Sequence, residues 1–146
     1  DARKDQEQKI LDFLKRHHLM VISTINSKGE PQSAVVGFTE RPNLEIIFGT
    51  YNATRKYKNL QENSKISLVI GWDSEEKITI QYEGIAKEAK QDDSKEYQQL
   101  HIEKRPKRGK HVHDPRERVF RTKPTWIRYS DLSKDPEEII EITFND

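Results

Sequence analysis

Met20-Val21-Ile22-Ser23-Thr24-Ile25, followed by Asn26-Ser27-Lys28-Gly29 and then Pro31 to Phe38, decides the fold class. Five of the first six residues are β-branched or apolar, in a run with a period of two, and the next four form a turn cluster. The two apolar runs around that turn read as a hairpin. Working outward, Thr39-Glu40-Arg41-Pro42-Asn43 reads as a second turn and Leu44 to Thr50 as a third strand. Lys65 to Trp72 is a fourth strand. In the next, Ile78, Ile80 and Tyr82 alternate with Thr79, Gln81 and Glu83, the pattern of a half-buried antiparallel strand. Gly84 within that run marks a bulge or a close backbone approach. Thr125 to Tyr129 and Ile139 to Phe144 are expected as closing strands.

Helical spacing is found in three places. Ile10, Leu11, Phe13 and Leu14 give an amphipathic helix over 5–17, with Asp5 and Gln8 spaced as a capping box; such a helix covers a sheet. A short helix is expected over 54–62 and another over Ser94 to Lys104. The polar segment 105–123, with Pro106, Gly109 and Pro115, is expected to be mostly loop. Tight turns and short helices between strands predict a mainly β fold with flanking short helices, its antiparallel sheet closed or partly closed into a barrel that hides its edges. The whole of 1–146 is expected to be one domain, with core strands over 19–89, a helix and basic loop over 94–123, and closing strands over 125–144.

Composition narrows the chemistry. Charged residues make up 35% of the 146 and apolar ones 32%, so the core must be economical. Lysine and arginine number 26 against 25 acids, which argues against a general polyanion binder. The absence of cysteine removes disulfides, thiolate metal sites, iron–sulfur clusters and cysteine nucleophiles. No apolar run reaches the ~18–20 residues of a membrane span, and Asp1-Ala2-Arg3-Lys4 opens no signal core, so the expected location is the cytoplasm. Nine cations lie between positions 104 and 123, and six acids lie beyond 130. Without interleaved aromatics the basic stretch is not a nucleic-acid groove. It reads as a solvated loop neutralised by the acidic end, or as cations that help to hold an anionic substrate. His101, His111 and His113 lack the convergent partners of a metal site.

Phe48-Gly49-Thr50-Tyr51-Asn52-Ala53-Thr54-Arg55-Lys56 carries the most chemistry. A strand ends, a hydroxyl-bearing turn follows, and a helix begins at Asn52 or Thr54, both good N-caps. Arg55 and Lys56 then oppose the helix dipole at a cost of ~0.3–1 kcal/mol, which a bound anion would reverse. The segment is therefore either a phosphate cradle or a solvent-exposed helix start that absorbs this penalty.

This segment, together with Ser23 to Pro31, Ala34-Val35-Val36-Gly37-Phe38, Asn59-Leu60-Gln61-Glu62-Asn63-Ser64-Lys65-Ile66-Ser67-Leu68 and Thr79-Ile80-Gln81-Tyr82-Glu83-Gly84-Ile85-Ala86, resembles the pyridoxamine 5′-phosphate oxidase-like, FMN-binding split-barrel proteins. Ser64 stands where the family usually has proline. The resemblance implies an antiparallel split barrel, an FMN cofactor and a homodimer with the flavin at its interface. It implies that Arg55 and Lys56 hold the FMN phosphate, that Gly49 and Thr50 line the flavin, and that Ser33, Ala34, Val35 and Val36 lie along the ring. Thr79 stands where relatives often place a glutamine on the ring; Gln81 could substitute if it shares that face. Trp126 and Arg128 fall near a flavin-side aromatic and cation, although Trp126 equally fits an ordinary packed strand residue. True pyridoxamine phosphate oxidases carry a C-terminal Arg-x-His element, and Trp126-Ile127-Arg128-Tyr129-Ser130-Asp131 leads to none, so the shorter general-stress type is the nearer match and oxidation of vitamin B6 is not expected. The implied activity is oxidoreduction with NAD(P)H or another small electron donor, without an assignable catalytic side chain. The alternative is a non-catalytic module that binds or senses flavin, haem or a deazaflavin.

Overall fold

The computed structural model describes residues 1–104 and 114–145. Eight strands form one antiparallel sheet: β1 (Leu19–Ile25), β2 (Pro31–Gly37), β3 (Thr39–Glu40), β4 (Ile46–Tyr51), β5 (Lys65–Ile70), β6 (Ile78–Glu88), β7 (Glu117–Asp131) and β8 (Glu138–Thr143). Three helices accompany them, α1 (Ala2–Lys15), α2 (Arg55–Glu62) and α3 (Gln91–Lys104). The strand order is β2-β1-β5-β6-β7-β4-β3, and β8 pairs with β7. The sheet curls so that β2 approaches β4 without a hydrogen-bonded ladder between them, which makes a split barrel. No described helix is long and apolar enough to cross a membrane.

Period-two patterning sets the inside of the barrel. Met20 and Ile22 of β1, Ile66, Leu68 and Ile70 of β5, Ile80 and Tyr82 of β6, and Phe48 of β4 point into one core. There the Phe48 and Phe120 rings stack at 5.3 Å. The α1 helix plugs one end with Ile10, Phe13 and Leu14, all fully buried, and Phe13 meets Tyr129 edge-on at 6.1 Å. The α3 helix covers the outside of β4 and β7, where Tyr97 packs with Ile47 and Val119.

The barrel splits along β7. Residues 117–122 of this strand pair with β4, residues 126–131 pair with β8, and 123–125 lie between the two partners. At the same level the β6–β7 register steps at Glu83/Gly84 and leaves Thr125 unpaired with β6, so the strand bulges there. The Thr125 hydroxyl donates to the Glu83 carbonyl at 3.1 Å. Inside, the buried Tyr82 hydroxyl spans the seam by donating to the Leu44 carbonyl at 2.8 Å.

Several sequence expectations need correction. The first helix is capped by Asp1, whose carboxylate accepts from the Arg3 N–H, so Asp5 lies inside the helix and no capping box forms. Thr39 and Glu40, expected in a turn, form β3 against Ile47 and Ile46. Residues 117–123, expected as loop, are strand, because Val119, Phe120 and Thr122 face buried surfaces while the charged residues between them reach outward. Residues 105–113 of that segment, with His111 and His113, lie outside the described residues.

Both sequence alternatives for Gly84 are realised, since a Cβ there would sit 2.4 Å from the Lys123 carbonyl oxygen. Backbone cannot yield as a side chain can. Gly84→Ala is expected to destabilise the fold by about 1–3 kcal/mol, read as a lowered urea midpoint.

Candidate functional site

The site is assembled where β4 runs into α2. Thr54 is the N-cap of α2, with extended backbone, and its hydroxyl accepts from the Tyr57 N–H at 3.1 Å. The same hydroxyl donates to the Tyr51 carbonyl at 3.0 Å. Its single proton is thereby committed, so at the 2.9 Å contact between Thr50 and Thr54 it is Thr50 that donates. Thr50 thus orients the cap. The cap satisfies one first-turn donor, and the Arg55 and Lys56 N–H groups have no intrahelical acceptor by virtue of their position. The first turn contains no acid, and neither Arg55 nor Lys56 forms an ion pair among the described residues.

This corner is pinned on three sides. The Asn52 N–H donates to the Arg116 carbonyl at 2.9 Å, tying the turn to the start of β7. Asn59, buried one turn along α2, donates to Thr24 Oγ1 at 2.9 Å and Gln32 Oε1 at 3.0 Å, tying the helix to β1 and β2. The Tyr57 ring lies edge-on to Phe120, and its hydroxyl donates to Glu88 at 2.9 Å, which holds the phenol above its ordinary pKa.

Electrostatics mark Lys56. Burial first, and the neighbouring Arg55 second, push its ammonium below the ordinary lysine value of 10.5, against an opposing pull from Glu117. Glu117 is raised in turn by burial and by Asp114. Its carboxylate lies over Gly49, where a Cβ would stand 1.9 Å from Oε1. Sequence reasoning missed Glu117 and Arg118, which stand opposite Tyr51 and Thr50 on β7. The signal available was the apolar pair Val119-Phe120 flanked by charged residues.

The residues expected in the site fall into two groups. Gly49, Thr50, Arg55 and Lys56 are together at the β4–α2 corner. Thr79 and Gln81 do share one face, the outside of β6, opposite the buried Ile80 and Tyr82. On that outer face Val35, Val21, Val69, Gln81 and Arg128 stand in cross-strand register, as do Ser33, Ser23, Ser67, Glu83 and Trp126. Ser33 and Ser23 join by their hydroxyls at 2.8 Å. Trp126 donates its indole N–H to Glu141 at 2.8 Å, and Arg128 reaches the other oxygen at 3.1 Å; both hold this carboxyl below its usual range. Ala34 and Val36 point inward, with Val36 against the core. His101 meets Thr39 Oγ1 through Nδ1 at 2.8 Å.

The chain matches the family model described as pyridoxamine 5′-phosphate oxidase over residues 6–131. It belongs to that family. Solved folds of the pyridoxamine 5′-phosphate oxidase type resemble it along most of its length. One, from Clostridium acetobutylicum, is related to general stress protein 26 of the pyridoxinephosphate oxidase family; it superposes with a TM-score of 0.73 at 14% identity, covering 97% of this chain and 96% of that one. A haem-binding protein from Mycobacterium smegmatis gives 0.77 at 12% identity, covering 96% of this chain but only 57% of the other. HutZ, the haem storage protein of Vibrio cholerae, gives 0.66 at 16% identity over 80% of this chain and 88% of its own. At these identities the likeness is one of fold. No curated protein sequence matches the chain.

The lowered Lys56 has a measurable consequence. The unfolded chain binds this proton more tightly than the folded one, so the Lys56 contribution raises stability as pH climbs between the folded value and 10.5. Lys56→Met removes that titration. The variant is expected to be at least as stable as the parent at pH 7, with the difference shrinking towards pH 10 in urea unfolding curves.

Proposed function

We propose that this protein is an FMN-binding flavoprotein that acts as an oxidoreductase on a small molecule, with Arg55 and Lys56 holding the phosphate. The carrying observation is a capped helix start with no acid in its first turn, where two N–H groups lack an intrahelical acceptor and two neighbouring cations have no ion-pair partner among the described residues. A half-buried lysine beside an exposed arginine is repelled by it, and a phosphate dianion between them would turn this repulsion into charge-assisted hydrogen bonds. The residues present fit the group. Thr50 would keep the cap oriented, and Gly49 carries no side chain to collide with the Glu117 carboxylate that lies over the strand end. When bound, FMN supplies the electron transfer, with NAD(P)H or another small donor as its source, and the protein's task is to position it.

The second group of expected residues supports a homodimer. Trp126, Gln81 and Ser33 lie on the outer face of the sheet rather than at the β4–α2 corner, and the same face exposes Val35 by 60% and Val69 by 36%. An isologous pair would cover these valines and let one protomer's outer face complete the other's phosphate corner. Haem is the competing ligand, suggested by the haem proteins of similar fold. Among the described residues it finds little support in His101, whose Nδ1 is engaged by Thr39.

The test is a fluorescence titration with FMN and riboflavin. Alanine at both Arg55 and Lys56 is expected to weaken FMN binding at least a hundredfold, at about 1.5–3 kcal/mol per charged hydrogen bond lost, and to leave riboflavin binding unchanged. An absorbance band of flavin that bleaches with NADH supports the enzyme; a Soret band with added haem and no response to FMN rejects the reading. Val35→Asp with Val69→Asp is expected to convert a dimer into a monomer in sedimentation velocity, with circular dichroism retained.

A further inference from the structure

We propose that the seam of the barrel holds a second ligand site, for a small organic anion with an apolar body. A groove of about 560 Å³ opens on the outside of β6 and β7 where β7 passes from β4 to β8, within the size range of small-molecule sites. Three cations line it. Lys87 and Arg121 stand directly opposite each other across the β6–β7 ladder, and Lys123 is two residues further on the same face, opposite Ile85. Like charges in cross-strand register repel. Here nothing relieves them, since none of the three is hydrogen-bonded or ion-paired among the described residues. Glu45, the acid of the lining, is buried, with Arg41 as its ion-pair partner at 3.8 Å. The groove therefore keeps a net positive charge.

The same lining carries apolar surface. Ile85, Pro124 and Phe144 share the groove with the cations, and proline presents no N–H to compete for the ligand's charged end. Cations beside apolar walls select an amphipathic carboxylate or sulfonate over inorganic phosphate, which would gain nothing from those walls, and over a neutral molecule, which would leave the charges uncompensated. The site is separate from the phosphate corner: Arg121 is four residues along β7 from Glu117, ~13 Å at a strand's rise. It stands or falls independently of FMN.

The experiment is an NMR titration of the full chain with octanoate, and in parallel with 1-octanol. Saturable shifts are expected for the amides of Ile85, Lys123, Thr125 and Phe144 with octanoate, at least tenfold weaker with octanol. Arg121→Gln with Lys123→Gln should weaken octanoate at least tenfold while its amide spectrum remains dispersed. Lys87→Gln alone, a milder change, should weaken it by a smaller factor. Alanine at Arg55 and Lys56 should leave octanoate binding within twofold. Equal response to acid and alcohol, shifts confined to the β4–α2 corner, or unaltered affinity in the glutamine variants would overturn the proposal.

Discussion

Two long strands can run side by side through the bend of this barrel because position 84 carries no side chain. With Gly84 close against the Lys123 carbonyl and Thr125 bulged out, β7 turns sharply enough to serve two partners in succession. Its first half delivers Glu117 and Arg118 to Tyr51 and Thr50 at the end of β4, and its second half delivers Trp126 and Arg128 to Glu141 on β8. The β4–α2 corner, the outer face and the seam groove are all bordered by this one strand.

At the β4–α2 corner the protein accepts several small penalties in one place. Two cations oppose a helix dipole, one of them is half-buried, and a carboxylate beside them is itself desolvated. Away from this corner and the seam groove, several cations are matched by acids: Lys9 with Glu138, Lys104 with Glu40, Arg16 with Glu76. Mismatch gathered at particular places is what an anion site would use, because uncompensated charge in the free protein is attraction held for a ligand.

Much of the sheet was legible because alternation is strict where one face is buried. β1, β5 and β6 lie close to where the period-two runs placed them, and of the two N-cap candidates, Asn52 and Thr54, the helix uses Thr54. The missing pieces share a cause. In β7 the outward positions are filled by long cations, so 117–123 looked like a charged loop; only the burial of Val119, Phe120 and Thr122 reveals a strand. The Asp5–Gln8 spacing satisfied a capping pattern that lost to Asp1, since extending the helix by a turn gives additional backbone bonds. At the candidate site, sequence named the residues on either side of the β4–α2 junction but not Glu117, whose proximity to Lys56 and Gly49 depends on pairing across more than sixty positions. Nor could spacing alone show that Ser33, Gln81 and Trp126 occupy the outside of the sheet; that follows from register.

Tyr82 gives the seam a particular mechanical character. Its phenol is fully buried and bonds the Leu44 carbonyl across the gap between partner strands, at a point where no ladder joins the two sides. The Thr122 carbonyl, at 3.4 Å, is the second acceptor within its reach. Parting the strands at Leu44 would leave this buried donor only the longer bond, so the discontinuity in the barrel wall is fastened from within.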